Sequence, residues 1–354
     1  MKLFTKRALL TTALASAGVC AQAEGFGFYA LLDGGIASNS ISGPGTTTSK
    51  TEFVTGGYAP NFIGITGEKS LGSGYTGGFK LEQGFLLNKP PTGNSRFFFG
   101  DDAIFNRQAN LYVTNAYGKF AAGTQSNFAF DSVLVAEARF GSNFGSSLAA
   151  IAISGGLGTV DSGALTYTSP SMSGFTVAAE YVPEYINSGG KDVKSGTRLT
   201  ATYGGGPLKA TVAVYSDDIS GDTEKTSGTI LGATYKLGNF DLKAMAVTQK
   251  NPTYSSLGTW GLGGAYSISS ATTLDFGIYK SSDSNTDYKM DTAAVGIQYK
   301  FLKDLAVYGQ YAQVKNNGSV ATPFNFAGPM LTPLFITAGQ TATTLNMGLL
   351  YSFF

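Results

Sequence analysis

Histidine is absent from this 354-residue chain, and cysteine occurs once, as Cys20. Without an imidazole there is neither the commonest general base nor the commonest metal ligand, so hydrolases of the Ser-His-Asp type are excluded. Cys20 lies in an N-terminal stretch that reads as an export signal. Beyond it there is no thiol for a disulfide framework or a thiolate metal site. No later stretch approaches 18 continuous apolar residues, so no helical membrane span is expected. Arginine is scarce after the signal, with only Arg96, Arg107, Arg139 and Arg198. Tryptophan occurs once, and the aromatic character rests on 19 Tyr and 25 Phe.

The first 23 residues have the order of a secretory signal peptide. Lys2, Lys6 and Arg7 form the positive region, Ala8 to Val19 is a short apolar run, and Ala21-Gln22-Ala23 is a small-residue cleavage site. Val19 is bulky where lipidation at Cys20 needs a small residue, which disfavours a lipid anchor. The mature chain is read as 24–354. Taking the three signal cations from 24 leaves 21 against 23 acids, a net charge of about −2. That balance carries no basic signature for nucleic acid.

What remains is rich in glycine, tyrosine and phenylalanine, and it alternates. In Ser227 to Gln249, Leu231, Ala233 and Tyr235 share one face and Gly232, Thr234 and Lys236 the other. After a Leu237-Gly238-Asn239 turn, Phe240, Leu242, Ala244 and Ala246 alternate with Asp241 and Lys243. Period-two alternation marks a strand with one apolar face, and Gly and Asn accept the angles of a tight reversal. Tyr167, Tyr203, Tyr235, Tyr266 and Tyr299 each close such a strand just before a short turn, at separations of 36, 32, 31 and 33 residues. Their fixed place beside the turns points to interface anchors.

Short turns alternate with longer polar loops such as NSGGKDVKSG and SDDISGDTEKTS. Counting strands gives sixteen in eight hairpins, each of the length that crosses a bilayer at a tilt. The second face carries too many charges for a dry core, because unpaired buried charge costs several kcal/mol. Turning that face to water and the apolar face to lipid satisfies both, and closure pairs every backbone donor. The expected fold is all-β: a 16-stranded antiparallel transmembrane β-barrel with an aqueous lumen.

Strands are expected at Glu24 to Ala37, from Phe62, at Phe105 to Thr114 and at Lys119 to Thr124. Ser38 to Thr51 and Asn88 to Asp102 are read as loops. Residues 125–162 break the pattern. That stretch is too long for an ordinary connection, which marks it as functional, and its SLAAIAIS run from Ser147 suits a short helix. The last loop, 315–341, holds ATPFNFAGPMLTPLFITAG, far more apolar than a wetted loop requires. It is read as packing against other loops, or as a lid or greasy lining at the mouth that favours amphiphilic solutes.

Several segments resemble the general trimeric porins of Gram-negative outer membranes, the β-proteobacterial type above all. They are YALLDGG from Tyr29, GITGEKSLGSGYTGGFKLEQGF from Gly64, FNRQANLYV from Phe105, YTSPSMSGFTVAAEY from Tyr167 and the closing MGLLYSFF. The resemblance implies a homotrimer whose third external loop, here 125–162, folds inward and narrows each lumen. It implies acids on that loop facing basic residues of the wall. Carried over by motif, the pore constriction comprises Arg107, Glu82, Glu137 and Asp131, with Arg139 and Lys80 as neighbours by position.

The chain departs from the resemblance in places. Asn61-Phe62 stands where such porins often carry Ser-Arg, and Gly123-Thr124-Gln125 where they carry Gly-Arg-Gln. These losses argue against strong anion selectivity. Phe353 takes the terminal aromatic place and Phe354 is extra. The function so implied is passive diffusion of small hydrophilic solutes and ions across the outer membrane, without cofactor or catalytic residue. The expected surroundings are outer-membrane lipid and lipopolysaccharide. A substrate-selective channel, with a site formed by the third and last external loops, is the alternative, ahead of a structural or adhesive barrel.

Overall fold

Burial alternates along the strands with period two. In Phe240–Lys250, Lys243, Met245, Val247 and Gln249 are buried while Leu242, Ala244, Ala246 and Thr248 are exposed. The computed structural model describes residues 25–87, 104–186, 192–193, 195–218, 225–326 and 334–353. The N-terminal stretch expected to be an export signal, the expected Asn88 to Asp102 loop with Arg96, and Phe354 lie outside the described residues.

Sixteen barrel strands follow in chain order. They are β1 (Gly25–Gly43), β2 (Thr46–Thr55, resuming at Phe62–Gly72), β3 (Tyr75–Gly84) and β4 (Gln108–Asn115). Next come β5 (Gly118–Ser126), β6 (Val160–Thr168), β7 (Phe175–Val182) and β8 (Gly196–Gly205). The third group is β9 (Leu208–Asp218), β10 (Lys225–Leu237), β11 (Phe240–Lys250) and β12 (Leu257–Ser267). The last four are β13 (Thr272–Asp283), β14 (Tyr288–Lys300), β15 (Leu305–Asn316) and β16 (Thr341–Phe353). Each pairs antiparallel with the next, and β1 pairs with β16 from Ala30↔Phe353 to Ser42↔Thr341, which closes the sheet on itself.

Outward faces are apolar. Leu111, Leu165, Leu199, Leu231, Leu262, Ile278, Ile297 and Leu349 are all exposed. Aromatic pairs gather outward beside the short turns: Phe120–Tyr167 and Phe175–Tyr203 at 4.7 Å, and Phe240–Tyr266 at 4.5 Å between ring centres. This is the pattern of a girdle where an apolar belt meets water. Phe353 lies 5.9 Å from Phe28 in the same outer layer.

Two expectations are corrected. Ser38 to Thr51 is no loop: β1 and β2 continue through it, paired from Gly34↔Thr55 to Gly43↔Thr46 around a Pro44-Gly45 turn. Its Ser/Thr alternation is polar on both faces, so it lacks the apolar half of the signal, yet threonine suits a strand. The second strand therefore starts at Thr46, and residues 56–61 only interrupt it. The connections are also less cleanly sorted than expected, since β13 and β14 are joined by residues 284–287, as short as the turns 268–271 and 301–304 at the other end.

The irregular stretch narrows to 127–159, because β5 runs to Ser126 and β6 begins at Val160. It holds an α-helix, α1 (Phe128–Ala136), and a π-helical turn at Ala149–Ser154. The turn lies where SLAAIAIS predicts a short helix. The sequence reading missed α1, although Asn127 is a fitting N-cap whose Oδ1 accepts from the Ala129 and Phe130 amides.

Candidate functional site

The segment 127–159 folds into the barrel, and the lumen wall is altered to receive it. Inward positions of β9 to β11, polar elsewhere, carry Ala213, Tyr215, Ile230, Met245 and Val247. They form one buried cluster with Phe130, Val133, Ala136, Leu148 and Ile151 of the inward segment. Gly232 on β10 faces the Ala136 methyl, and a Cβ at that position would collide with it. The close packing of that methyl on the β10 backbone leaves space only for glycine there.

A segment crossing a lumen must find partners for its backbone carbonyls. Wall side chains supply them. Thr234 Oγ1 donates to Val135 O at 3.0 Å, Lys243 Nζ to Glu137 O at 3.0 Å and Gln249 Nε2 to Ile151 O at 3.0 Å. Asn251 Nδ2 donates to Ser154 O at 2.9 Å. At the start of α1, the Phe128 amide donates to Glu180 Oε2 at 2.8 Å. A carboxylate at a helix N-terminus is favoured by the exposed amides and the dipole.

Glu137 and Arg139 hold the fold of this segment. Glu137 Oε2 accepts from the Arg139 amide at 2.7 Å and the Gly141 amide at 2.8 Å. Arg139 Nε donates to Asp275 Oδ1 on β13 at 2.7 Å, and its Nη2 to Gln310 Oε1 on β15 at 2.9 Å. Its Nη1 donates to Phe144 O. Both side chains are fully buried, so neither faces the open passage. Expected as constriction charges, they are internal braces, because five guanidinium donors fix a crossing segment to a wall better than a single contact does.

The other expected residues lie on or toward the opposite wall. Arg107 Nε donates to Glu82 Oε1 at 2.5 Å, and Lys80 Nζ lies 3.7 Å from Glu82 Oε2. Tyr29 donates its hydroxyl to Glu82 Oε2 at 2.9 Å. The Arg107 guanidinium sits 4.8 Å from the ring centre of Phe62, a cation–π contact at a position where the resembled porins often place a cation. Asn61 beside it is buried, and its Nδ2 donates to Thr55 Oγ1 at 2.6 Å and Asp33 O at 3.1 Å. It ties together the break in β2.

Asp131, on the first turn of α1, shares with Arg107 a recess between the inward segment and the wall. Burial pushes its carboxyl up to about 7, against the pull of Lys80 and Arg107. Among the described residues it makes no ion pair within 4 Å. The structure thus brings Lys80, Glu82, Arg107 and Asp131 together and separates Glu137 and Arg139 from them.

One charged group was not anticipated. Arg198 on β8 lies 3.0 Å from Asp161 of β6 and is paired with Asp217 of β9. Its inward parity on an alternating strand was the available signal.

The last loop also folds inward. Thr322–Pro323 pairs with Phe335–Ile336, and the Phe326 amide donates to Asn143 O at 2.8 Å. The Phe326 ring lies 6.1 Å from Phe130. Phe324, clustered with Ala149 and Ala150, and Phe326 therefore pack on the inward segment, while Phe335 is exposed.

The chain matches the family described as Gram-negative porin over residues 8–319. Among solved structures it is similar to the anion-selective porin from Comamonas acidovorans, at 18% identity and TM-score 0.78, covering 93% of this chain and 100% of that one. The trimer form of OmpT from Vibrio cholerae aligns at 14% identity and TM-score 0.65, over 94% and 100%. OmpF of Salmonella typhi, solved with daunomycin, aligns at 15% identity and TM-score 0.63, over 93% and 97%. No curated protein sequence matches.

Proposed function

The chain belongs to the Gram-negative porin family, and from that membership we propose how this outer-membrane channel controls the diffusion of small solutes. Passage is set where the inward segment faces the wall. Arg107 and Lys80 lie on one side, over the buried Glu82 that pairs with them, and Asp131 lies on the other. Two cations face two acids there, and opposed charges at close quarters leave little net preference for either ion sign. The preference is therefore weak, with anions favoured when Asp131 is protonated.

The observation that carries this reading is the Arg107–Glu82 pair, held beside the Asp131 recess. Arg139 fixes the crossing segment from behind. The channel performs no chemistry, because solutes pass through weak, fixed charges. We read residues 1–23 as a signal cleaved on export and the assembly as a homotrimer. The trimer form of the Vibrio relative supports that assembly. The outward apolar belt takes lipid and, in the outer leaflet, lipopolysaccharide.

Swelling of liposomes carrying the protein tests the reading. Uptake of uncharged sugars should fall steeply with size. Uptake independent of size, or none for the smallest sugar, would contradict it.

A further inference from the structure

The recess beside Arg107 and Asp131 is not lined as a water-filled passage should be. Phe130 and Leu134 of α1, Phe140, Leu148 and the last-loop Phe326 all contribute to it. Water beside such a surface gains nothing from it, whereas a solute with an apolar body does. Phe326 comes from an element distant in sequence, so two loops build one wall.

The charges at the recess are complementary in a specific way. Arg107 spends its Nε on Glu82, and Phe62 covers its planar face. Among the described residues its two terminal nitrogens have no partner. The Asp131 carboxylate has none either. One free donor fork, one free acceptor and an apolar wall therefore share one recess. A simple organic anion would meet Arg107 and be opposed by Asp131. A simple amine would meet the reverse. A zwitterion satisfies both, with its carboxylate on the guanidinium fork and its ammonium on Asp131.

We propose that this recess is a weak binding site for small zwitterions bearing an apolar side chain, that is, hydrophobic α-amino acids. The side chain lies against Phe130, Leu134 and Phe326 while the head group bridges Arg107 and Asp131. This deepens the diffusion reading and rests on it: the channel stays open to other solutes, and this class dwells longer.

The test is block of ion current in planar bilayers by four probes: L-phenylalanine, glycine, N-acetyl-L-phenylalanine and L-phenylalanine amide. Phenylalanine should block with an apparent affinity about tenfold above glycine, as an apolar contact of this size provides, and above both derivatives. Asp131→Asn should erase the advantage of phenylalanine over its N-acetyl form. Leu134→Ser should erase its advantage over glycine, and Phe326→Ser serves the same end. Circular dichroism checks that each variant retains its barrel. Equal block by glycine and phenylalanine would overturn the apolar wall. Equal block by phenylalanine and its N-acetyl form would overturn the zwitterion in favour of an anion site. Ion current with no block by any probe would overturn the site and leave the diffusion reading standing, whereas absence of current would overturn both.

Discussion

Arg139 on the inward segment and Asp275 on the far wall are joined at 2.7 Å, with both side chains withdrawn from water. The pair spans 136 residues of sequence and pins a crossing segment to a strand. Removing one partner leaves a buried charge uncompensated, at a cost of about 3–5 kcal/mol. The cost falls on the segment rather than on the barrel, whose strands keep every ladder bond. Arg139→Met should therefore release the segment, giving noisier and larger single-channel currents while the barrel remains folded. Adding Asp275→Asn should recover part of the quiet state, because it removes the orphaned charge.

Gly232 leaves room for Ala136 at the end of α1 against the wall. A side chain there has no space, and overpacking costs about 1–3 kcal/mol. Gly232→Val should push α1 toward the open side of the lumen. The expected result is lower conductance with unchanged strand content by circular dichroism.

Asp131 is charged above about pH 7 and neutral below it. Raising the pH from 6 to 8 adds a negative charge to the passage, so the reversal potential in a salt gradient should move toward cations. In Asp131→Asn that movement should vanish over the same range. The linked effect on stability has a definite sign. Because burial raises this carboxyl above its ordinary value, ionising it costs the folded segment, which is held more firmly as pH falls through about 7.

The barrel was legible in the sequence because a strand exposed to lipid on one side and water on the other must alternate. Leu231, Leu242 and Ala244 on the outer face and Lys243 on the inner one follow that rule. Where both sides are equally polar, as in the Ser/Thr hairpin around Pro44, the rule has nothing to detect. It also fails where the lumen is dry. Met245 and Val247 point inward and are buried because α1 lies on them, and nothing local to β11 announces a partner more than 100 residues away. Glu137 and Arg139 show the same limit at the site. A charge in a loop reads alike whether it faces the passage or braces the loop, and only the positions of Asp275 and Gln310 distinguish the two. Lys80, Glu82 and Arg107 were expected from the resemblance, and they lie together because Arg107 directly precedes β4, the strand paired with β3 that carries the other two.

The charged passage between Arg107 on the wall and Asp131 on the inward segment is tested most directly by the reversal potential in a potassium chloride gradient, for wild type and Arg107→Ala. Losing Arg107 leaves Glu82 and Asp131 opposed only by Lys80, so the variant should shift toward cations. A reversal potential equal to that of wild type would mean that permeating ions do not pass Arg107, and the site described here would not be the constriction.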